Sequence, residues 1–216
     1  MSISTLETRH SVRQYKNISI EPEKRDVLNR LCEEINAESG LNIQIIYDEP
    51  KCFNSMMAHY GRFSGVNSYI SIVGKKADSG IDEKAGFYGE KLVIKAQEIG
   101  LNTCWVAMTH GKSTAIIGKD EKEVIIISLG YGVTQGTPHK DKDILKLAKI
   151  SEDDPQWYKD GVRGAMLAPT AVNQQKFFIE RVGEEAQITA PKGMLTKVDL
   201  GIVKHDFEYA SGHKTI

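Results

Sequence analysis

The sequence predicts an α+β protein, on three observations. Two long stretches repeat apolar residues at three- and four-residue steps, the period of one helix face. Several short runs rich in Ile, Val and aromatic residues lie between Gly-containing or polar breaks and read as strands. Finally, 216 residues with 40% hydrophobic side chains and no low-complexity linker can bury a sizeable core in one or two compact domains.

The elements follow in order. "EPEKRDVLNRLCEEINAESG" predicts the first helix: Pro22 suits its first turn, Val27, Leu28, Leu31, Cys32 and Ile35 form the apolar face, and Gly40 stops it. "LNIQIIY" (41–47) is a strand, "KCFNSMMAHYG" a short helix, and "NSYISIVG" a second, weakly alternating strand. "IDEKAGFYGEKLVIKAQEIG" is the longest helix, with Ala85, Tyr88, Leu92, Ala96 and Ile99 in register. Gly86 and Gly89 cost that helix about 1 kcal/mol each relative to Ala, so something flat or another backbone approaches there, or a helix packs closely. The strand "TCWVAM", a short helix near "KSTAIIG", the apolar strand "EVIIISLGYG" and the polar loop "TQGTPHKDKD" complete the first half. Residues 155–181 then repeat the helix, turn, strand order of residues 22–47, and "KHDFEYASGHKTI" is a helix end with a polar tail.

Composition narrows the function. A formal net charge of −1 argues against a broad nucleic-acid surface. The three cysteines, Cys32, Cys52 and Cys104, form no CxxC pair, so they read as reduced, packed thiols rather than a zinc ribbon or redox dithiol. No metal site is expected. The N-terminus lacks an apolar signal core and no run of eighteen apolar residues exists, which predicts a cytoplasmic protein without a membrane partner. Phosphate-binding GxxxxGK[ST], Rossmann GxGxxG, GxSxG and HExxH motifs are all absent.

Four stretches could carry chemistry. In "TRHSVRQY", Arg9, Ser11 and Arg13 alternate, so an extended backbone projects two guanidinium forks and a hydroxyl from one side. That is either a receptor for a phosphate or a solvated N-terminal arm. In "APTAVNQQ", Thr170, Asn173 and Gln175 offer hydroxyl and amide groups suited to the edge of a heterocycle, or they cap their own turn. "GLNTCWVAMTHGK" runs a strand into small and apolar residues, then Thr109, His110 and Lys112, with His110 either a base or a capping residue. Lys140 and Lys142 lie in a Lys/Asp-alternating loop that by itself reads as solvated.

Together these pieces resemble the FMN-dependent nitroreductase and flavin reductase superfamily. "RHSVRQY" is similar to its Arg-x-Ser-x-Arg signature, and "APTAVNQQKF" to its Ala-Pro-Ser-Ala-x-Asn-x-Gln-Pro signature, with Thr170 for Ser and Lys176 for Pro. "GFYGEKLVIKAQEIGLNTCWVA" resembles its central helix and strand, and "ISLGYGVTQGTPHKDKD" its late strand and basic loop. The turn motif follows the arginine motif by about 160 residues, an order that resembles a smaller branch of nitroreductases carrying Pro-Thr-Ala-x-Asn in the C-terminal half. The resemblance implies a nitroreductase-like fold of antiparallel-rich mixed sheets flanked by helices.

It also implies FMN as cofactor. Arg9 and Ser11 would bind the phosphate, with His10 in the same motif, and Arg13 would lie nearer the ribityl chain and pyrimidine edge. Pro169, Thr170 and Asn173 would line the ring with Gln175 beside them. Trp105, Val106, Ala107 and Met108 would pass the central ring, and Lys140 and Lys142 would match the late basic pair. The implied reaction moves hydride from NADH or NADPH through the flavin to a nitroaromatic, quinone or similar small-molecule acceptor. No side chain is identified as a general acid. An FMN-binding or storage protein without turnover, and a flavin enzyme on the same scaffold with another substrate, are the alternatives.

The sequence divides into residues 1–150, with the arm, central helix and basic loop, and residues 151–216, with the ring-binding turn, the halves packed as one unit. Each half keeps one of the two motifs, which predicts a monomeric pseudo-dimer, a homodimer being the other arrangement.

Overall fold

The computed structural model describes residues 3–216. Contacts gather the chain into two compact units that interleave in sequence: one holds the N-terminal segment through Thr8, Asp82–Lys91 and Pro138–Ile216, and the other Arg9–Ile81 and Leu92–Thr137.

The second unit is a sheet. Helix α2 (Pro22–Ser39) follows the one-turn helix α1 (Ser4–Thr8) of the other unit and ends at Gly40, whose φ of 71° is left-handed. Its buried side chains are Leu28, Cys32 and Ile35, while Val27 at the edge of the predicted face is 37% exposed. Strands β1 (Asn42–Ile46), β2 (Ser68–Lys75), β3 (Asn102–Val106) and β4 (Glu121–Gly130) form one antiparallel sheet in the order β1-β2-β4-β3. The register pairs Ile43 with Ile72 and Ile70 with Ile127, and it shifts between Ile72 and Val73, which pair with Ile125 and Glu123 and leave Val124 of β4 over. From Ser68 to Gly74 every residue of β2 is buried, which explains its weak alternation: both faces are covered. Short helix α3 (Met56–Tyr60) is capped by Ser55, whose hydroxyl accepts from the Ala58 N–H. Phe53, Phe63, Val66, Tyr69, Cys104 and Ile126 pack together beside it.

One predicted helix is absent. Residues 112–118 are irregular, because the sheet's side chains occupy their backbone groups. The Gln44 amide accepts from the Ile116 N–H and donates to its carbonyl, both at 2.8 Å, as a neighbouring strand would. The Tyr69 hydroxyl takes the Thr114 N–H at 2.9 Å. A local helical pattern cannot compete with partners that are already placed.

The first unit is mainly helical. Helix α4 (Ile81–Glu98) gives it residues 82–91 and continues into the sheet unit. Helices α5 (Gln156–Met166) and α6 (Thr196–Ser211) pack on one another, and strands β5 (Phe178–Val182) and β6 (Glu185–Thr189) form a hairpin. Gly86 is explained here by helix packing: a Cβ on it would stand 2.0 Å from the Val198 carbonyl oxygen of α6, and one on Gly201 would stand 2.0 Å from the Glu83 oxygen of α4. Two backbones approach where only glycine fits. The Tyr158 hydroxyl, fully buried, donates toward the Lys149 and Ile179 carbonyls and ties α5 to β5.

All named strand pairs are antiparallel, and the parallel component is limited to isolated bridges such as Ser11 to Thr103 and Ala148 to Ile179. The antiparallel-rich mixed α+β architecture is therefore as the sequence predicts.

Candidate functional site

In the sheet unit, residues 9–16 are an extended arm stitched to the sheet. The Val12 N–H donates to the Thr103 carbonyl at 3.0 Å, and Tyr15 N–H to Ser64 at 2.9 Å. The phenol of Tyr15 hydrogen-bonds Ser128 at 2.8 Å inside the core. Val12 is buried in the core with Cys104 of β3, and the neighbouring Ser11 and Arg13 are exposed. Burial pushes that thiol's pKa up, and the Arg13 charge, the Ser11 hydroxyl and the Arg9 charge pull it back. Arg9 is only 4% exposed, Ser11 and Arg13 are exposed, and His10 is half-buried. Arg13 also stands over the Phe63 ring, 6.0 Å from its centre.

Trp105 and Val106 end β3, paired with Ile127 and Ile126, and Ala107 and Met108 leave the sheet. Met108 is exposed, as are Met56 and Tyr60. The His110 ring contacts the Gly111 carbonyl at 2.7 Å, a local capping role. A cavity of about 590 Å³ lined by Lys75, Lys76, Gly118 and Glu121 lies at the opposite end of β4 from the arm and contains no motif residue. The three cysteines are buried and form no disulfide.

In the helical unit, residues 167–177 connect α5 to β5 by an unusual route. Val172, Asn173 and Gln175 have φ of 47°, 54° and 40°, left-handed values that L-residues adopt at a cost. The amides of this turn are largely spent on the protein itself. Gln175, 2% exposed, donates to the Lys140 carbonyl at 2.9 Å and to Asn173 Oδ1 at 2.6 Å, and accepts from the Lys142 N–H at 2.9 Å. Both of its N–H groups are committed, which makes it a strut. Asn173 donates once, to the Lys140 carbonyl at 2.8 Å, and accepts once, leaving one N–H and one lone pair for something else. Thr170 is buried and its oxygen accepts from the Gln175 N–H at 3.0 Å, while Pro169 is half-buried. Lys142 Nζ donates to the Gln174 and Gln175 carbonyls, and Lys140 is exposed.

The turn motif and the basic loop thus meet. Asp199 was not among the sequence candidates. Its carboxylate, buried on α6, accepts from the Ala171 N–H at 2.9 Å and from Gln174 Nε2 at 2.6 Å. The available signal was an acidic residue inside the apolar run "VDLGIV".

Among the described residues no group of His, Cys, Asp and Glu could hold a metal, and no helix is long and apolar enough to cross a membrane. The fold class is that of solved nitroreductases. A "putative nitroreductase" from Thermotoga maritima shares 24% identity over 97% of this chain and 83% of its own, with a TM-score of 0.70. An FMN-dependent nitroreductase from Clostridium difficile is 20% identical over 71% of this chain and 99% of its own, with a TM-score of 0.53. A "putative nitroreductase" in complex with FMN, from Desulfovibrio desulfuricans, is 15% identical over 71% and 97%, with a TM-score of 0.55. Residues 2–211 match the family described as "Putative TM nitroreductase", and the chain belongs to that family. No curated protein matches it.

Proposed function

We propose that this chain is an FMN-dependent oxidoreductase that draws hydride from NADH or NADPH and delivers it to a flat electrophilic acceptor, a nitroaromatic or a quinone. The observation that carries this reading is the arm: Arg9, Ser11 and Arg13 alternate on a segment whose backbone lies beside β3, and Arg9 is buried despite its permanent charge. Two guanidinium forks and a hydroxyl on one short arm fit a phosphate monoester. Family membership and the names of the similar nitroreductases support the same cofactor.

When bound, FMN supplies the hydride chemistry and the protein supplies position and charge. Arg9 and Ser11 would hold the phosphate with His10 in the same arm, and the exposed Arg13 would add positive charge that favours an anionic reduced ring. Trp105, Val106, Ala107 and Met108 would offer backbone where β3 leaves the sheet. In the helical unit, Pro169, Thr170 and Asn173 would meet a heterocycle edge, Asn173 with its spare donor and acceptor. Gln175 would fix them from behind. Lys140 and Lys142 would contribute positive charge, Lys142 while bracing the turn.

Purification with added FMN, then dialysis and a visible spectrum, tests the cofactor, and anaerobic addition of NADH tests turnover. A yellow protein bleached by NADH is expected. Colourless protein that does not quench FMN fluorescence would refute the reading, and a yellow protein that NADH never bleaches would mark a binding protein instead.

A further inference from the structure

The turn at 170–175 is held from a side that the motif itself does not contain. Three of its residues have left-handed backbones without being glycine, and Val172, β-branched, is 90% exposed at the tip. Strain of this kind persists only where the surroundings impose it. The Thr170 and Gln175 contacts are internal to the turn, and the Lys140–Lys142 loop is itself an exposed segment. Asp199 is different: it belongs to a four-turn helix, it is 4% exposed, and each of its two oxygens is bonded to the turn.

We infer that Asp199 is a positioning residue that clamps the 170–175 turn in its left-handed form and thereby sets the contacts the turn makes to its ligand; the second half of this inference rests on the FMN reading above. The chemistry explains why the residue is a carboxylate. Gln174 Nε2 also donates to the Met194 carbonyl at 3.1 Å, so the amide is already oriented with its nitrogen toward Asp199. The atom facing it must accept. The backbone N–H of Ala171 requires that the other atom accept too. Only a carboxylate accepts at both ends, whereas an asparagine would set its own N–H₂ against the nitrogen of Gln174, or the oxygen of a flipped Gln174 against Met194. A charge buried without a cation is a costly way to hold a turn, and it is repaid here by two hydrogen bonds and by its place in the first turn of α6.

The test compares Asp199→Asn, Gln174→Ala, their double variant and the exposed control Asp153→Asn with the wild type. Hydrogen exchange of peptides covering 168–177 is read without added ligand, and FMN affinity and the bound visible spectrum by titration. Asp199→Asn should speed exchange in the turn about tenfold with β5, β6 and α6 unchanged, weaken FMN about tenfold, and shift the bound spectrum. Gln174→Ala should move all three the same way by less, and the double variant should fall short of the sum of the two, since the residues share one bond while Gln174 also holds Met194. Unchanged turn exchange in Asp199→Asn and Gln174→Ala would overturn the clamp. Faster exchange with unaltered FMN affinity and spectrum would overturn its role at the ligand. If the wild type binds no FMN, the flavin reading fails by itself and the exchange result decides the clamp. Should Asp199→Asn not fold, Gln174→Ala, whose side chain is only half-buried, decides between the same outcomes.

Discussion

The chain makes the same passage, helix to turn to strand, twice, and spends very different material on it. From α2 to β1 it needs only Gly40 and Leu41. Gly40 supplies the left-handed residue, its N–H closes on the Asn36 carbonyl, and the Asn36 amide brackets Ile43, accepting from its N–H and donating to its carbonyl at 2.8 Å each. From α5 to β5 it uses residues 167–177, left-handed Val172, Asn173 and Gln175, and a buried carboxylate beneath them. A turn that merely connects lets glycine adopt the awkward angle at no steric cost. A turn that also presents side chains must keep them, and it accepts backbone strain to do so. The contrast separates joining from presenting, and it can be tested.

The largest effect should come from the arm, the proposed phosphate receptor. Arg9→Ala is expected to weaken FMN binding by about 1.5–3 kcal/mol, the range for hydrogen bonds to charged groups, whereas Lys24→Ala on α2 should leave it unchanged. Equal titrations for the two would show that the arm is only a solvated strand. Next, Asn36→Ala removes both bonds to Ile43 and should cost about 2 kcal/mol in chemical denaturation, with no change in flavin affinity. A flavin effect as large as that of Arg9→Ala would blur the distinction between the turns.

A paired substitution sharpens it. Gly40→Ala meets nothing within 4 Å, so only its φ of 71° opposes it, and a loss of about 1 kcal/mol is expected. Val172→Gly relieves a strained φ of 47° and should leave the melting temperature level or higher. If both lower stability alike, the strain at Val172 is not real.

The smallest effect concerns pH. The strut of the first turn is an amide and cannot titrate. Asp199 can, and burial raises its carboxyl pKa above 3.8, with the Ala171 N–H and the Gln174 amide pulling it back. A raised pKa means that the folded state binds this proton more readily than the unfolded one. The contribution is therefore most favourable below pH 3.8 and declines as pH rises through the raised value. Melting curves of the wild type and Asp199→Asn across pH 3.5–7 should show the wild type losing ground to the variant with rising pH, on top of a constant offset. A constant difference would mean that the carboxyl titrates alike in both states.

Much of this was readable in the chain. The periodicity of 22–39 and 81–98 and the Ile- and Val-rich runs set the helices and sheet strands, because burying those stripes dominates the energetics at every length scale. The apolar Val12 and Tyr15 of the N-terminal arm found the core, as burial of apolar side chains requires. Other features waited for the tertiary structure. "KSTAIIG" looks helical until Gln44 and Tyr69, distant in sequence, take its backbone groups. Gly86 is a cost until the backbone of Val198 lies against it. The amides of "PTAVNQQ" announce a polar turn, yet only the folded chain decides that Gln175 is consumed on Lys140 and Lys142 while Asn173 keeps a donor and an acceptor in hand. Local pattern fixes what a segment does with its own neighbours; which polar groups remain for a ligand depends on partners that sequence distance hides.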